Sequence, residues 1–229
     1  MRRLLPLILA SFLAGLPLAA APPDARAGAG TPDAVLAKLD RWNASLKTFR
    51  AEISQRKFSQ ILEEFEEPEL GLLQYKRTGQ GVFLRKEITR PSHSILLVTP
   101  EQLLVYYPKK KQALRRKLEE SQSRYVNFGV GISSAELKKN FRVAHTGDEA
   151  VSGKNCHVLE LDPQSEKIRQ YFKSIRLWVE AATGVPLRQQ IEEHNGDYLE
   201  IDFLKITLNP ALGGKTFELA LPRDVEYIQ

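Results

Sequence analysis

The sequence predicts one α+β domain built mostly of antiparallel strands. Three observations lead there. An amphipathic stripe at helical spacing around Leu39 gives way, from Phe49 onward, to a period of two. Hairpin signals then recur at short intervals, and a short capped helix at Ser133 interrupts the strand rhythm. Runs of strands with helices set apart from them define the α+β class.

The first helix starts at Thr31-Pro32-Asp33: Thr31 can cap, Pro32 suits the first helical position, and Asp33 favours the positive end of the dipole. Val35, Leu36, Leu39, Trp42 and Leu46 form its apolar stripe. Phe49, Ala51 and Ile53 then alternate with Arg50, Glu52 and Ser54, and "LGLLQYKR" and "GVFLRKEI" continue as strands. In "HSILLVTPEQLLVYYPKKK" two apolar runs flank Thr99-Pro100-Glu101-Gln102, where Pro100 presets a turn. Neither arm of this hairpin alternates, so both of its faces are apolar and each needs a cover. Basic "KQALRRKLE" is a candidate further strand.

In "YVNFGVGISSAELKKNF", Ser133 with Glu136 three residues on makes a capping box. Leu137 and Phe141 share one face of the helix that follows, and Gly129 and Gly131 precede it, so the segment from Phe128 to Phe141 is a candidate sheet cover. Strands resume with "FRVAHTGDEAVSGKNCHVLELDP", turning at Ser152-Gly153-Lys154; "SEKIRQYFK" is ambiguous. Thr183-Gly184 and Asn195-Gly196 separate three last runs. In "IRLWVE", Ile175, Leu177 and Val179 are expected on a dry side, with Arg176, Trp178 and Glu180 on a wet one.

Arg2-Arg3, the apolar run from Leu4 to Ala21 and the small residues after it read as a secretory leader. Cleavage fits after Ala21 or after Ala27; the second divides the chain into a leader, 1–27, and a single domain, 28–229. A transmembrane anchor is the rival, but Pro6 and Pro17 interrupt the run, which falls short of the roughly 20 residues a span needs. The mature chain of about 200 residues can bury a core without staples. Cys156, alone in the sequence, can form no internal disulfide and suits a buried apolar position.

The formal charge is +5, and removing Arg2, Arg3, Asp24 and Arg26 with the leader leaves 30 basic against 27 acidic residues. The charge is local, with Lys109-Lys110-Lys111 and Arg115-Arg116-Lys117 on one side and "EEFEEPE" on the other. Such runs are first of all solvated edges; after export, an acidic headgroup or acidic protein fits the basic runs better than nucleic acid. No catalytic motif is present: His93, His145, His157 and His194 lie far apart with no zinc-type spacing, and no nucleophile elbow or phosphate loop occurs. No catalytic residue, metal or cofactor is expected.

The order of segments, from the leader and first helix through "LKTFRAEISQ", "GLLQYKRTGQGVFLRKEITRP", "LLVTPEQLLVYYPKKKQ" and the apolar helical insert to "FRVAHTGDEAVSGKNCHVLELDP" and "LALPRDVEYI", resembles the LolA-type outer-membrane lipoprotein carriers. The resemblance spans nearly all of the mature chain. It implies a curved, incomplete β-barrel with helices covering an apolar concave face. It further implies a monomeric periplasmic carrier that takes acylated lipoproteins from an inner-membrane exporter to an outer-membrane acceptor. The acyl cavity would draw on Leu36, Leu39, Trp42, Leu84, Ile88, Leu96, Val98, Leu103, Val105, Phe128 and Leu137. One face of the double-faced hairpin would then pack on helices and the other would line the cavity.

In the family pattern a Lys-Arg-Pro triplet ends a strand, and its arginine holds the lid shut through hydrogen bonds to lid backbone. Lys76, Arg77 and Thr78 stand there in this chain, with Thr78 in place of the proline. Arg85 and Lys86 likewise depart from an aromatic pair. Two other functions share the fold: a periplasmic carrier of free lipid, and a lipoprotein-sensing module that reports to a membrane partner. Sensors of that kind carry a second domain, for which this chain is expected to have no room.

Overall fold

The structure is a computed structural model that describes residues 31–117 and 130–228. The leader and Phe128 lie outside the described residues. Helix α1 (Pro32–Ser45) begins as its sequence requires, with Ala34 N–H donating to Thr31 Oγ1 at 3.3 Å. There follow β1 (Thr48–Ser59), the two-residue β2 (Glu64–Phe65), β3 (Glu69–Thr78), β4 (Gly81–Arg90), β5 (Ser94–Val98), β6 (Gln102–Tyr107) and β7 (Gln112–Lys117). Helix α2 (Ser134–Asn140) carries the reciprocal Ser133–Glu136 capping box. The chain continues through β8 (Phe141–Val151), β9 (Lys154–Pro163), α3 (Glu166–Arg169), β10 (Ser174–Glu180), β11 (Pro186–Glu192), β12 (Tyr198–Leu208) and β13 (Glu226–Ile228). The ambiguous "SEKIRQYFK" is thus the short α3 and its exit, with Ile168 and Phe172 buried.

The described strands belong to one open sheet in the order β13-β7-β6-β5-β4-β3-β1-β12-β11-β10-β9-β8, with β2 beside β1. Two meanders, β3 to β7 and β8 to β12, are joined through β1, which pairs with β3 on one side and β12 on the other. Among the described strands only β13 runs parallel to its neighbour, β7. The sheet does not close into a barrel; β13 and β8 are its two edges. No helix among the described residues is long and apolar enough to cross a membrane.

One face, here the inner one, packs against α1 and α2. Its core gathers Val35, Leu36, Leu39 and Trp42 from α1 with Phe49, Ala51 and Ile53 of β1, Leu73 and Tyr75 of β3, Leu84 and Ile88 of β4, and Leu177 and Phe203 from the second meander. The strand alternation read from Phe49 onward therefore faces the helices. Two expectations are corrected on the outer face. Trp178 is buried, not wet: its Nε1–H donates to Glu149 Oε2 at 2.8 Å and the Arg188 guanidinium sits 5.8 Å above its ring. The second correction concerns the double-faced hairpin. Leu96, Val98 and Leu103 do point to the helices, but Ile95, Leu97, Leu104 and Tyr106 point outward into a second core with Phe83, Ala113 and Phe217. That core is roofed by Leu212, Leu219, Leu221 and Val225 of the C-terminal segment. The second cover is the chain's own tail.

Candidate functional site

The inner face and its two helices form the candidate site. Leu36, Leu39, Trp42, Leu84, Ile88, Val98 and Leu137 are all buried in the inner core, and Leu96 and Leu103 pack against it while partly exposed. Val105 pairs with Leu96 across β5 and β6 and is partly exposed. The sequence-predicted residues thus converge, except Phe128, of which the structure says nothing. Sequence reasoning missed Phe49, Tyr75, Leu177 and Phe203, although the period-two pattern around each marks an inward position. Trp42 meets Phe49 edge-on at 6.2 Å, and Phe49 meets Phe203 in the same way at 6.2 Å. Trp42 Nε1 is a buried donor with no hydrogen-bond partner among the described residues, an arrangement that costs about 1–3 kcal/mol.

The helices are tied down at their polar edges. Arg77, at the end of β3, donates from Nη1 to the Asn43 carbonyl at 3.3 Å, from Nη2 to the Gly131 carbonyl at 2.8 Å and from Nε to the Tyr75 hydroxyl at 3.1 Å. Asn43 Nδ2 donates to the Ile132 carbonyl at 2.6 Å, and Gly131 N–H donates to Asn43 Oδ1 at 3.0 Å. Asp40 accepts from both the backbone N–H and the hydroxyl of Ser134, and Lys138 pairs with Asp33 at 2.8 Å. Gly131 is needed at this junction: its φ is +81°, and a Cβ there would stand 2.2 Å from the Tyr75 hydroxyl oxygen. Burial pushes the Tyr75 hydroxyl up, against the pull of Arg77.

Away from these clips the inner face meets solvent. A pocket of about 410 Å³ lies between Tyr171, Ile191, Glu193, His194, Asn195 and Leu199. Its Ile191 and Leu199 belong to the rim of the inner core. Polar residues enter the inner face at Gln55 and Lys86. Lys86 Nζ donates to Gln55 Oε1 at 3.0 Å, and Gln55 Nε2 donates to Glu69 Oε2 at 2.5 Å. Burial holds the Lys86 amine below the usual lysine range, with Glu69 pulling the other way.

The histidines form a group that spacing hid. The β8–β9 register sets His157 opposite Asp148, and His145 joins them. His157 Nδ1 and His145 Nε2 lie 2.6 and 3.0 Å from Asp148 Oδ1. Burial pushes the Asp148 carboxyl up, but the two imidazoles outweigh it and hold it below its ordinary value. The grouping has the donors of a metal site. Lys38 Nζ, however, stands 3.4 Å from His157 Nε2 and donates to the Ala181 carbonyl at 2.8 Å. A cation so placed opposes a second cation and leaves the cluster as a tie between α1 and the sheet.

An open antiparallel sheet with helices clipped over one apolar face is a binding or carrier fold. The family model described as outer membrane lipoprotein carrier protein LolA matches residues 44–220, and the chain belongs to that family. Among solved structures, an uncharacterized conserved protein from Thermus thermophilus is 14% identical, with a TM-score of 0.52, over 86% of this chain and 97% of its own. The Pseudomonas aeruginosa MucA/MucB complex matches at 14% identity and a TM-score of 0.49 over 82% of this chain and 61% of the other. A LolA superfamily protein from Nitrosomonas europaea matches at 18% identity and a TM-score of 0.41 over 83% and 99%. At 14% identity the likeness to the Thermus thermophilus protein is one of fold alone. A search of curated proteins finds no match.

Proposed function

We propose that this chain is a periplasmic carrier that holds the acyl chains of lipoproteins against its inner face and delivers them to the outer membrane. Residues 1–27 would be the export leader, and an inner-membrane exporter and an outer-membrane acceptor would be the handover partners. Family membership supports the reading. The observation that carries it is how the inner cover is attached. Apolar packing beneath α1 and α2 is continuous, yet the polar contacts that fix the helices are few: Arg77 and the Asp40–Ser134 pair at the margin, and the buried Asn43 between α1 and the strand-to-α2 segment.

A cover fixed in this way can be exchanged for another apolar body. An acyl chain replaces buried helix surface at about 0.8 kcal/mol per methylene, and an ester carbonyl can satisfy Trp42 Nε1. Release then needs only a partner that favours the closed state. The reaction is binding and transfer; no bond is made or broken. The purified exported protein should bind an apolar fluorophore saturably and yield it to an acylated lipopeptide but not to the deacylated peptide. Equal displacement by both would refute the reading, and free lipid in place of lipoprotein in a native mass spectrum would reassign the chain to free-lipid carriage.

A further inference from the structure

Lys86 occupies a position where the fold calls for an apolar residue. On β4, Val82, Leu84 and Ile88 face the inner core, and Lys86 falls between the last two in the same alternation. Its partners across the neighbouring strands are Leu73 on β3 and Leu96 on β5. Two half-buried arginines of the sheet each hold a carboxylate: Arg85 with Glu87 at 2.8 Å, and Arg188 with Asp202 at 2.6 Å. Among the described residues Lys86 has no ion-pair partner. The hydrogen bond it makes there is to the neutral Gln55 carbonyl, which the Gln55–Glu69 contact keeps turned toward it. Two of the three ammonium donors therefore have no partner among the described residues, and burial disfavours the charged form more than Glu69 favours it.

A cation in this setting is best matched by an anion that arrives with its own apolar body. Leu96 and Val105 continue the cross-strand row that starts at Lys86, giving an alkyl chain an apolar track that ends at the ammonium. We propose that Lys86 is a headgroup-recognition point and that, among free amphiphiles, the inner face prefers an acidic one, with a carboxylate or phosphate at the end of an alkyl chain. The inference rests on the reading of the inner face as an amphiphile site and narrows its ligand class. A neutral acylated terminus would bind the same surface without this contact.

The test uses delipidated mature protein and four ligands of equal chain length, kept below their micellar concentrations: hexadecanoate, its methyl ester, hexadecanol and hexadecyl phosphate. Displacement of an apolar fluorophore should show at least one of the two anions binding tenfold or more tightly than the neutral pair. Whichever anion gains identifies the headgroup as carboxylate or phosphate. Lys86→Met should bring that anion to the level of the ester while ester binding is kept, and Lys86→Arg should retain the preference. Equal binding of anions and neutral ligands by the wild type, or a preference that survives Lys86→Met, would overturn the role of Lys86 alone. Failure of all four ligands to displace the probe would overturn the amphiphile site itself, and this inference with it.

Discussion

The β5–β6 hairpin is apolar on both faces, and the molecule covers the two faces by different means. Outside, the tail from Leu212 to Val225 lies over Ile95, Leu97, Leu104 and Tyr106. It is then stitched down by the parallel β13–β7 pairing, by Arg115 Nη2 donating to the Tyr227 hydroxyl at 2.9 Å, and by a Lys111–Asp224 ion pair at 2.5 Å. Inside, Leu96, Val98 and Leu103 lie on the face that α1 and α2 pack against, and those helices have no strand pairing and are held by side-chain contacts. Arg85 and Arg77 embody the difference. Arg85 bonds the tail carbonyls of Thr216 and Glu218 at 3.5 and 3.3 Å with its charge matched by Glu87, whereas Arg77 holds the helices from an exposed position with carbonyls and a hydroxyl alone. One cover is part of the sheet. The other is docked upon it, and a docked element is the one a ligand can displace.

Removing packing from the outer cover should have the largest effect on stability. Phe217 lies 5.8 Å from Phe83 at the centre of the outer core, and Phe217→Ala should cost about 3 kcal/mol. The loss would appear as a lower denaturant midpoint with acyl-ligand affinity unchanged in conditions where the variant is folded. If affinity fell in step with stability, the two covers would not be independent.

Gly131→Ala strikes the inner cover. The added Cβ collides with the Tyr75 hydroxyl and must also adopt a positive φ, a combination worth about 2 kcal/mol of strain. Hydrogen exchange should quicken in α1 and α2 and stay the same in the tail. Arg77→Leu should act in the same direction with a smaller effect, about 1 kcal/mol, because water competes for an exposed guanidinium. Its defect should appear in transfer of loaded lipoprotein to acceptor vesicles rather than in loading. Unaltered transfer and exchange would make Arg77 an ordinary surface arginine.

Lys86 gives the smallest effect and a signed pH dependence. Its folded-state pKa is lowered, so between that value and the ordinary lysine range the unfolded chain binds more protons than the folded one. Wild-type stability should therefore rise with pH through that alkaline window. Lys86→Met should be slightly more stable below the window and should lose this rise, read from thermal midpoints across alkaline buffers.

Much of the docked cover was legible in the sequence because its signals are local. Thr31-Pro32-Asp33, the α1 stripe and the Ser133–Glu136 box each depend on residues within a turn or two, and the structure forms all three. The tail was not legible: Phe217, Leu219 and Leu221 alternate over three positions only, Leu212 and Val225 stand apart from them, and all five acquire meaning only from the outer hairpin face they meet. Trp178 was misread because alternation assumes one solvated face, whereas Arg188 and Glu149 build a dry seat on the other. The His145–Asp148–His157 group depends on β8–β9 register, which spacing does not encode. The side on which Lys86 falls could have been found, since Val82, Leu84 and Ile88 fix the phase of β4.

The central claim is that the helix-covered inner face, and not the tail-covered outer face, receives the ligand. Amide hydrogen exchange of the mature protein with and without a saturating acylated lipopeptide tests it most directly. Protection should change in Pro32–Ser45 and Ser134–Asn140, with residues 212–221 exchanging as before. Changes confined to the tail, or none at all at demonstrated saturation, would contradict it.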